Sequence, residues 1–205
     1  MDGVLIEAKD WHYEALNKAL VLFGYEINRY EHLTSYDGLP TSVKLKRLTL
    51  EKNLPDSLHP FINEMKQQYT INMIYNHCRP RFNHEYALSR LRKEGYRLVV
   101  ASNSVRATID LMMDKSRLQQ YLDFTLSNQD VERAKPDPEI YLKAMECLGF
   151  APEECLIIED NENGIRAAVA SGAHLLAVGS VDDVNYANIR ARINEIEGTV
   201  PEDSK

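Results

Sequence analysis

The amino-acid sequence predicts an α/β fold, a doubly wound parallel sheet with an inserted α-helical cap, and three observations predict it. Apolar runs rich in Val, Ile and Leu, too short for helices, occur at 97–102, 124–128, 155–160 and 174–179. The segments between these runs repeat apolar residues every three or four positions, as amphipathic helices do. Residues 11–78 carry helical patterns alone. Buried strands joined by helical crossovers form parallel sheets, and the helical stretch ahead of them is expected to form a separate module.

The helical module contains two amphipathic stripes, separated by a polar segment at 30–42 that includes Gly and Pro and predicts a loop. A short polar segment at 78–83 is interpreted as the linker that returns to the core. We therefore expect a helical cap at 10–81 and a core formed by 1–9 and 82–205. The stripes consist of Ala15, Leu16, Ala19, Leu20 and Phe23, and of Leu58, Phe61, Ile62, Met65 and Tyr69.

Three helices are predicted between the apolar runs of the second half. Their patterns cover 105–116, 137–150 and 161–172. The last two patterns close near Gly149 and Gly172, and glycine is the residue that most often follows the last turn of a helix. These helices are expected to be the crossovers of the parallel sheet.

Composition limits the kinds of partner. The chain has 205 residues, with 24 Lys and Arg against 31 Asp and Glu, and a formal net charge of −7. An acidic chain disfavours nucleic acid, so any phosphate bound here must be attracted by local positive groups. We expect the partner to be a small phosphorylated metabolite, and the protein to be a monomer or weak dimer.

The cysteines indicate a reducing compartment. Cys78, Cys147 and Cys155 show no CxxC pair and no metal-ligand spacing, and we expect them to be buried thiols. No run approaches the roughly 18 to 20 apolar residues of a membrane span. The expected location is therefore the cytoplasm, without a membrane partner.

Polar residues follow the first apolar run of the core. Ser102 ends this run, and Asn103 and Ser104 follow it, ahead of a predicted helix. Ligands of open parallel sheets bind beyond the carboxyl ends of the strands, and a hydroxyl with free backbone N–H groups there can hold an anion. The alternative is that Ser102 is an ordinary helix N-cap.

Charged residues stand before a later helix and at a later strand end. Lys135 precedes Pro136, which keeps it out of helical geometry, and the alternative is a solvent-exposed lysine. Glu159 and Asp160 stand side by side after a strongly apolar strand. Adjacent carboxylates repel each other unless a cation or hydrogen-bond donors compensate, so they suggest a divalent metal. The alternative there is a capping Asp with an exposed neighbour.

The order of these motifs, with Asp2-Gly3-Val4 at the start, resembles the haloacid dehalogenase-like hydrolase superfamily, in the helical-cap branch of β-phosphoglucomutase-like and phosphatase-like enzymes. The family's first motif reads D-x-D-G-[VT], with a nucleophilic Asp followed two positions later by an acid/base Asp. Asp2 matches the second Asp and Met1 the variable residue. The nucleophile and its central strand would precede Met1, so we expect the 205 residues to be a truncated form of a longer protein.

The resemblance implies a role for each matched residue. Mg²⁺ would be bound by the missing Asp, the backbone carbonyl of Asp2 and the side chain of Asp160, with Glu159 close by or bound through water. Lys135 would neutralise the phosphoryl charge, and Ser102 with the amide of Asn103 would hold a phosphoryl oxygen. Asp2 would protonate the leaving alcohol and then deprotonate the attacking water.

The cap is expected to select the substrate. By resemblance, His12 on the first cap helix couples to Asp2, and Tyr36, Asp37 and Thr41 belong to the loop that closes over the substrate. Lys66 is a further candidate. For His12 the alternative is a polar helix face, and for Lys66 it is exposure to solvent.

The function implied is a Mg²⁺-dependent phosphatase that hydrolyses a small phosphomonoester, with sugar phosphates among the candidates, through an aspartyl-phosphate intermediate. The mutases carry an Arg at the position of Thr41, so its absence favours hydrolysis. The alternatives are a β-phosphoglucomutase-like mutase and a non-catalytic relative that binds a ligand or partner. The 205-residue chain, without the nucleophile, is predicted to be inactive.

Overall fold

The computed structural model describes residues 1–198, and residues 199–205, which end the predicted core, lie outside the described part. The first half is helical, as predicted. Gly24, at a φ of 77°, ends the turn after the first helix, and Asn28 with Glu31 forms a capping box at the start of the second. The helices of this half are α1 (Lys9–Leu20), α2 (Arg29–Glu31), α3 (Thr41–Lys52) and α4 (His59–His77).

The second half alternates strands and helices. Each strand lies inside one of the four predicted apolar runs, which confirms them. The strands are β1 (Val99–Ala101), β2 (Phe124–Leu126), β3 (Leu156–Glu159) and β4 (His174–Ala177). The helices are α5 (Phe82–Lys93), α6 (Arg106–Lys115), α7 (Glu139–Leu148), α8 (Glu162–Ser171) and α9 (Tyr186–Glu197).

The strands pair in parallel, as the crossover helices require. β1 pairs with β2 and β3 with β4, in two separate sheets of two strands each. Within residues 1–198, neither β1 nor β3 has a strand partner on its other edge. The N-terminal residues contribute an isolated bridge between Asp2 and Ile6.

Separate hydrophobic clusters lie under the two halves. The cap has its own cluster around Leu20, Leu48 and Ile62. A second cluster joins Met1 and the residues after it to α5, α6 and α9, and it also includes Ile74 at the end of α4. The long helix α4 therefore packs on both halves. The boundary between cap and core at 10–81 stays a prediction.

Two details differ from the expectations. The segment 30–42 is helical over its first part, through α2 and the π-helical turn His32–Tyr36, because its capping box and the buried His32 and Tyr36 favour helix over loop. Phe61, expected to be buried in its stripe, is 47% exposed. In the described chain no helix has both the length and the apolar character to cross a membrane.

The expectation of three buried thiols is wrong for one cysteine and incomplete for another. Cys78 is buried, Cys155 is partly buried and Cys147 is exposed. Cys147 lies on α7 two residues after the buried Met145, and a shift of two positions moves a side chain to the outer face of a helix.

Candidate active site

A cavity of about 210 Å³ lies between the cap and the carboxyl ends of β1 and β3. We call the side formed by Asp2, Ser102, Asn103, Lys135 and Glu159 the core wall, and the side formed by Lys44 and Lys66 the cap wall. The predicted site residues that line this cavity are Asp2, His12, Asp37, Thr41, Lys66, Ser102, Asn103, Lys135 and Glu159.

Lys135 is anchored at the base of the core wall. Its Nζ lies 2.6 Å from Glu159 Oε1 and donates to the carbonyl oxygen of Ala101 at 3.0 Å. The hydroxyl of Tyr141 donates to the same Glu159 oxygen. Burial opposes ionisation of Glu159, but the charge of Lys135 outweighs it and lowers the carboxyl pKa. The alternative of a solvent-exposed Lys135 is therefore wrong, and its ammonium is held between the ends of β1 and β3.

The turn after β1 presents polar groups to the cavity. Ser102 is 4% exposed, and its Oγ accepts a hydrogen bond from the backbone N–H of Ser104 at 3.2 Å. The Asn103 side chain accepts from the backbone N–H of Lys135 at 3.2 Å and donates to the carbonyl of Gly38 in the cap at 3.3 Å. Asn103 thus ties the Ser102 turn to the Lys135 loop and to the cap.

The capping alternatives for the core residues do not fit. α6 begins at Arg106 and its N-cap position is Val105, so Ser102 is not an N-cap. At the start of α8 the side chain of Asn161, and not that of Asp160, accepts a hydrogen bond from a helix N–H. Neither Ser102 nor Asp160 therefore caps the start of a helix.

Asp2, His12 and Lys66 form a chain of contacts across the cavity. His12 Nε2 lies 3.3 Å from Asp2 Oδ2, and His12 Nδ1 lies 3.2 Å from Lys66 Nζ. An ammonium can only donate, so Nδ1 accepts and the ring proton is on Nε2, facing Asp2. Burial and then the charge of Lys66 lower the pKa of His12, which keeps the ring neutral at pH 7. His12 Nε2 thus lies near Asp2, but it forms no hydrogen bond of normal geometry within the described residues, and the coupling of His12 to Asp2 stays a prediction.

The Asp2 side chain is 21% exposed, with one carboxylate oxygen buried. Ser104 Oγ donates to Asp2 Oδ2 at 3.0 Å, while Asp2 Oδ1 is buried without a hydrogen-bond partner in the described residues. Burial alone would raise the pKa of Asp2, but His12, the amino terminus and Ser104 outweigh it and hold the pKa well below its usual range. Ser104 is a contact that the sequence interpretation placed in the motif without assigning it a role.

Asp160 is fully buried and faces Lys9. Lys9 Nζ lies 2.6 Å from Asp160 Oδ2, although that oxygen has no aligned hydrogen bond. Gly3, at a φ of 72°, makes this possible, because a Cβ there would lie 1.9 Å from the same oxygen. Lys9 was missed in the sequence, where it stands alone in a polar stretch with no periodic signal.

The residues present fit a magnesium ion in part. No group of three His, Cys, Asp or Glu side chains within residues 1–198 forms a ready metal site. Mg²⁺ takes only one or two carboxylates and keeps several waters, and the buried oxygens of Asp2 and Asp160 that lack aligned hydrogen bonds are of the type it prefers. Glu159 differs from the expectation, because Lys135 and Tyr141 engage its carboxylate.

The predicted loop residues of the cap separate into two groups. Thr41 and Asp37 line the cavity, and the carbonyl of Asp37 accepts a hydrogen bond from Asn163 of the core at 3.4 Å. Tyr36 does not line it, which corrects the prediction of a substrate contact. Its side chain is 1% exposed within the cap cluster, and its hydroxyl donates to Glu51 at 2.5 Å. The π-helical turn that ends at Tyr36 directs the ring inward.

A second cavity lysine was missed. Lys44, on α3, and Lys66, on α4, both line the cavity and are each 7% exposed. The alternative of a solvent-exposed Lys66 is therefore wrong. Lys44 lies three residues after Thr41, on the same face of its helix, but among charged residues of α3 its sequence gives no sign of burial.

This arrangement belongs to a known class of hydrolase. A family model described as haloacid dehalogenase-like hydrolase matches residues 1–178. The chain belongs to the haloacid dehalogenase-like hydrolase family.

The relatives of the chain include several phosphatases. A phosphoglycolate phosphatase of Aquifex aeolicus is 29% identical over 173 residues, which cover 84% of this chain and 78% of the relative. A pyrophosphatase PpaX of Bacillus mycoides is 30% identical over 135 residues, and the match spans 60% of this chain and 62% of that relative. A β-phosphoglucomutase structure from Clostridium difficile has a TM-score of 0.81 at 22% identity and covers 96% of both chains, which shows a shared fold.

Proposed function

We propose that this chain carries the site of a Mg²⁺-dependent phosphatase, which hydrolyses a small phosphomonoester through an aspartyl phosphate when a carboxylate stands immediately before Met1. One observation carries this proposal: Lys135, Ser102 and Asp2 converge on one cavity at the strand ends. The family membership and the phosphatases among the relatives support hydrolysis of a phosphate ester. By the same reasoning the 205-residue chain alone is inactive.

The phosphoryl group is bound by the core wall. Ser102 Oγ and the backbone amide of Asn103 hold one phosphoryl oxygen, and Lys135 offsets the charge that spreads over the oxygens during transfer. The pairing of Lys135 with Glu159 fixes the ammonium before the substrate arrives. Such pre-positioned charge stabilises a transition state without reorganisation.

Asp2 moves the protons. In the first step the added carboxylate attacks phosphorus, the bond to the leaving oxygen breaks, and Asp2 gives its proton to that oxygen. In the second step Asp2 takes a proton from the water that attacks the aspartyl phosphate, which releases inorganic phosphate and restores the carboxylate. A phosphoryl dianion beside Asp2 raises the pKa of its carboxyl group, which favours both holding the proton for the first step and accepting one in the second.

Asp160 and the backbone carbonyl of Asp2 are the groups that would hold Mg²⁺. When bound, the ion would neutralise phosphoryl charge beside Lys135. The ion pair between Lys9 and Asp160 would have to open for this. The Asp160→Asn variant is therefore expected to weaken metal binding without removing the phosphate contacts.

The test is phosphate release from p-nitrophenyl phosphate by a chain that carries a short apolar strand ending in Asp before Met1. We expect turnover with Mg²⁺, loss of turnover with EDTA, and a higher Mg²⁺ requirement in Asp160→Asn. Interconversion of hexose phosphates that depends on a bisphosphate primer, without net phosphate release, would replace hydrolysis by mutase chemistry. Ligand binding without either reaction would support the non-catalytic alternative.

A further inference from the structure

The cap wall holds two lysines that no carboxylate of residues 1–198 pairs with. Lys44 and Lys66 are 7% exposed, and within the described residues neither has a carboxylate oxygen within the 4.0 Å of an ion pair. The other two lysines of the cavity, Lys9 and Lys135, are each 2.6 Å from a carboxylate oxygen. The cap-wall lysines are therefore exceptions within their own cavity.

Nearby acids are occupied elsewhere. Asp2 attracts both lysines but is held by Ser104 and lies beside His12. Asp37 also attracts Lys44, while its Oδ1 lies 3.7 Å from His32. Attraction at a distance does not replace the water that a buried ammonium loses.

Electrostatics agree with this geometry. Burial lowers the pKa of Lys44 to about 8, and burial together with the charge of Lys44 lowers the pKa of Lys66 to about 8. Two like charges that act on each other in a low-dielectric cavity destabilise each other. An anion between them would relieve both the repulsion and the desolvation.

We propose that Lys44 and Lys66 form a second anion subsite, so that the ligand carries a carboxylate or a second phosphate in addition to the phosphoryl group bound by the core wall. This proposal rests on the proposed function for the position of the first phosphoryl group. The cavity of 210 Å³ is below the roughly 300 to 1,000 Å³ of pockets for drug-sized ligands, so the ligand is small.

Lys44 is the residue whose substitution distinguishes an anion subsite from a purely structural role of the two lysines. Lys66 contacts His12 at 3.2 Å and so has a positioning task in the free protein. Lys44 has no hydrogen bond from its Nζ among the described residues, so its charge has no structural partner that would explain its burial. A ligand preference that depends on Lys44 is therefore specific to the subsite.

The experiment measures binding of non-hydrolysable probes to the 205-residue chain by isothermal titration calorimetry. Propylphosphonate has one anionic group, 3-phosphonopropionate replaces its methyl group by a carboxylate, and ethane-1,2-diphosphonate replaces the same methyl group by a second phosphonate. We expect one or both of the doubly anionic probes to bind at least about tenfold tighter than propylphosphonate, the range of one charge-assisted hydrogen bond. The tighter of the two identifies the second anionic group as carboxylate or phosphate.

The variants are Lys44→Met and Lys44→Gln, with Lys46→Met on the exposed face of α3 as the matched control. Both Lys44 variants should bind all probes with similar affinity, while Lys46→Met keeps the preference. Melting curves verify folding, and Lys44→Gln replaces Lys44→Met if the apolar variant fails to fold. Equal affinity for all probes in the parent chain, a preference that survives in the Lys44 variants, or no binding of any probe would overturn the proposal.

The probes also separate this proposal from the proposed function, because phosphonates are not hydrolysed. If binding prefers the doubly anionic probes in a Lys44-dependent way but the strand-extended chain shows no phosphatase turnover, the second anion subsite is supported and the proposed hydrolysis is wrong. If the strand-extended chain shows turnover but no probe preference depends on Lys44, the proposed hydrolysis is supported and the second anion subsite is wrong.

Discussion

The two walls of the cavity differ in whether their buried lysines are paired with a carboxylate. On the core wall, Lys135 is neutralised by Glu159, and that carboxylate also accepts a hydrogen bond from Tyr141. On the cap wall, Lys44 and Lys66 are equally buried but have no carboxylate within ion-pair distance in the described chain. The same residue type therefore serves two purposes a short distance apart.

The difference shows how charge can be prepared for a ligand. A paired lysine is held in one geometry and can stabilise a transition state, at the cost of a weaker net field. An unpaired lysine keeps its full field but destabilises the folded protein until an anion binds. We infer that the core wall binds the reacting phosphoryl group and that the cap wall binds the other anionic group of the ligand.

The largest expected effect comes from removing the paired lysine. Lys135→Met leaves the Glu159 carboxylate buried without its counter-ion, and breaking a buried pair in this way costs about 3 to 5 kcal/mol of the free energy of unfolding. Urea denaturation followed by circular dichroism measures it. Replacing both partners, Lys135→Met with Glu159→Leu, should recover most of the loss, and a single variant as stable as the parent would contradict the pairing.

The next effect concerns turnover in the strand-extended chain. Lys135→Ala should lower kcat by a factor of roughly 10² to 10³, the size seen when one transition-state contact is removed. Lys66→Ala should lower it less, because Lys66 reaches the reacting centre only through His12. Steady-state phosphate release measures both, and equal losses in the two variants would remove the distinction between the walls.

The smallest effect is a pH dependence of stability from the cap wall. Burial sets the pKa of Lys44 at about 8 in the folded state against 10.5 ordinarily, so the unfolded chain holds more protons between these values. Stability must therefore rise with pH across this window. The Lys44→Met variant lacks this titrating group. Between about pH 7.5 and 9.5 the free energy of unfolding of the parent should therefore rise by roughly 2 kcal/mol relative to that of the variant.

Denaturation curves at both pH values measure this gain. Lys46→Met, which removes an exposed lysine of the same helix, serves as the control and should follow the parent. A parent and a Lys44→Met variant that change in parallel with pH would show that Lys44 keeps its charge without penalty.

The core wall was predictable from the sequence because strand ends are marked there by local patterns. Ser102 and Glu159 stand at the ends of recognisable apolar runs, Lys135 precedes Pro136 and a predicted helix, and parallel strands bring their carboxyl ends together. Which carboxylate would pair with Lys135 was not predictable, since it depends on the approach of Tyr141 from α7. Glu159 was accordingly expected near a metal and is found holding the lysine.

The cap was predictable as helices but not as a site. Tyr36 was assigned to the substrate and Lys44 was missed, because the direction of a side chain depends on the irregular π-helical turn and on how α3 packs on α4. The polar segment at 30–42, with its Gly and Pro, has the composition of a loop. Only the capping box of Asn28 and Glu31 indicates a helix there. Lys9 depends on the approach of Asp160 to Gly3, which no local pattern encodes.

The most direct measurement compares two chains extended before Met1 by the same short apolar strand, one ending in Asp and the other in Asn. Within the described residues β1 and β3 each have one edge without a strand partner, to which such a strand could add. Both chains should fold with the same melting temperature, and only the Asp chain should release phosphate from p-nitrophenyl phosphate with Mg²⁺. Equal phosphate release from the Asp and Asn chains, or from the 205-residue chain itself, would contradict a carboxylate nucleophile at that position.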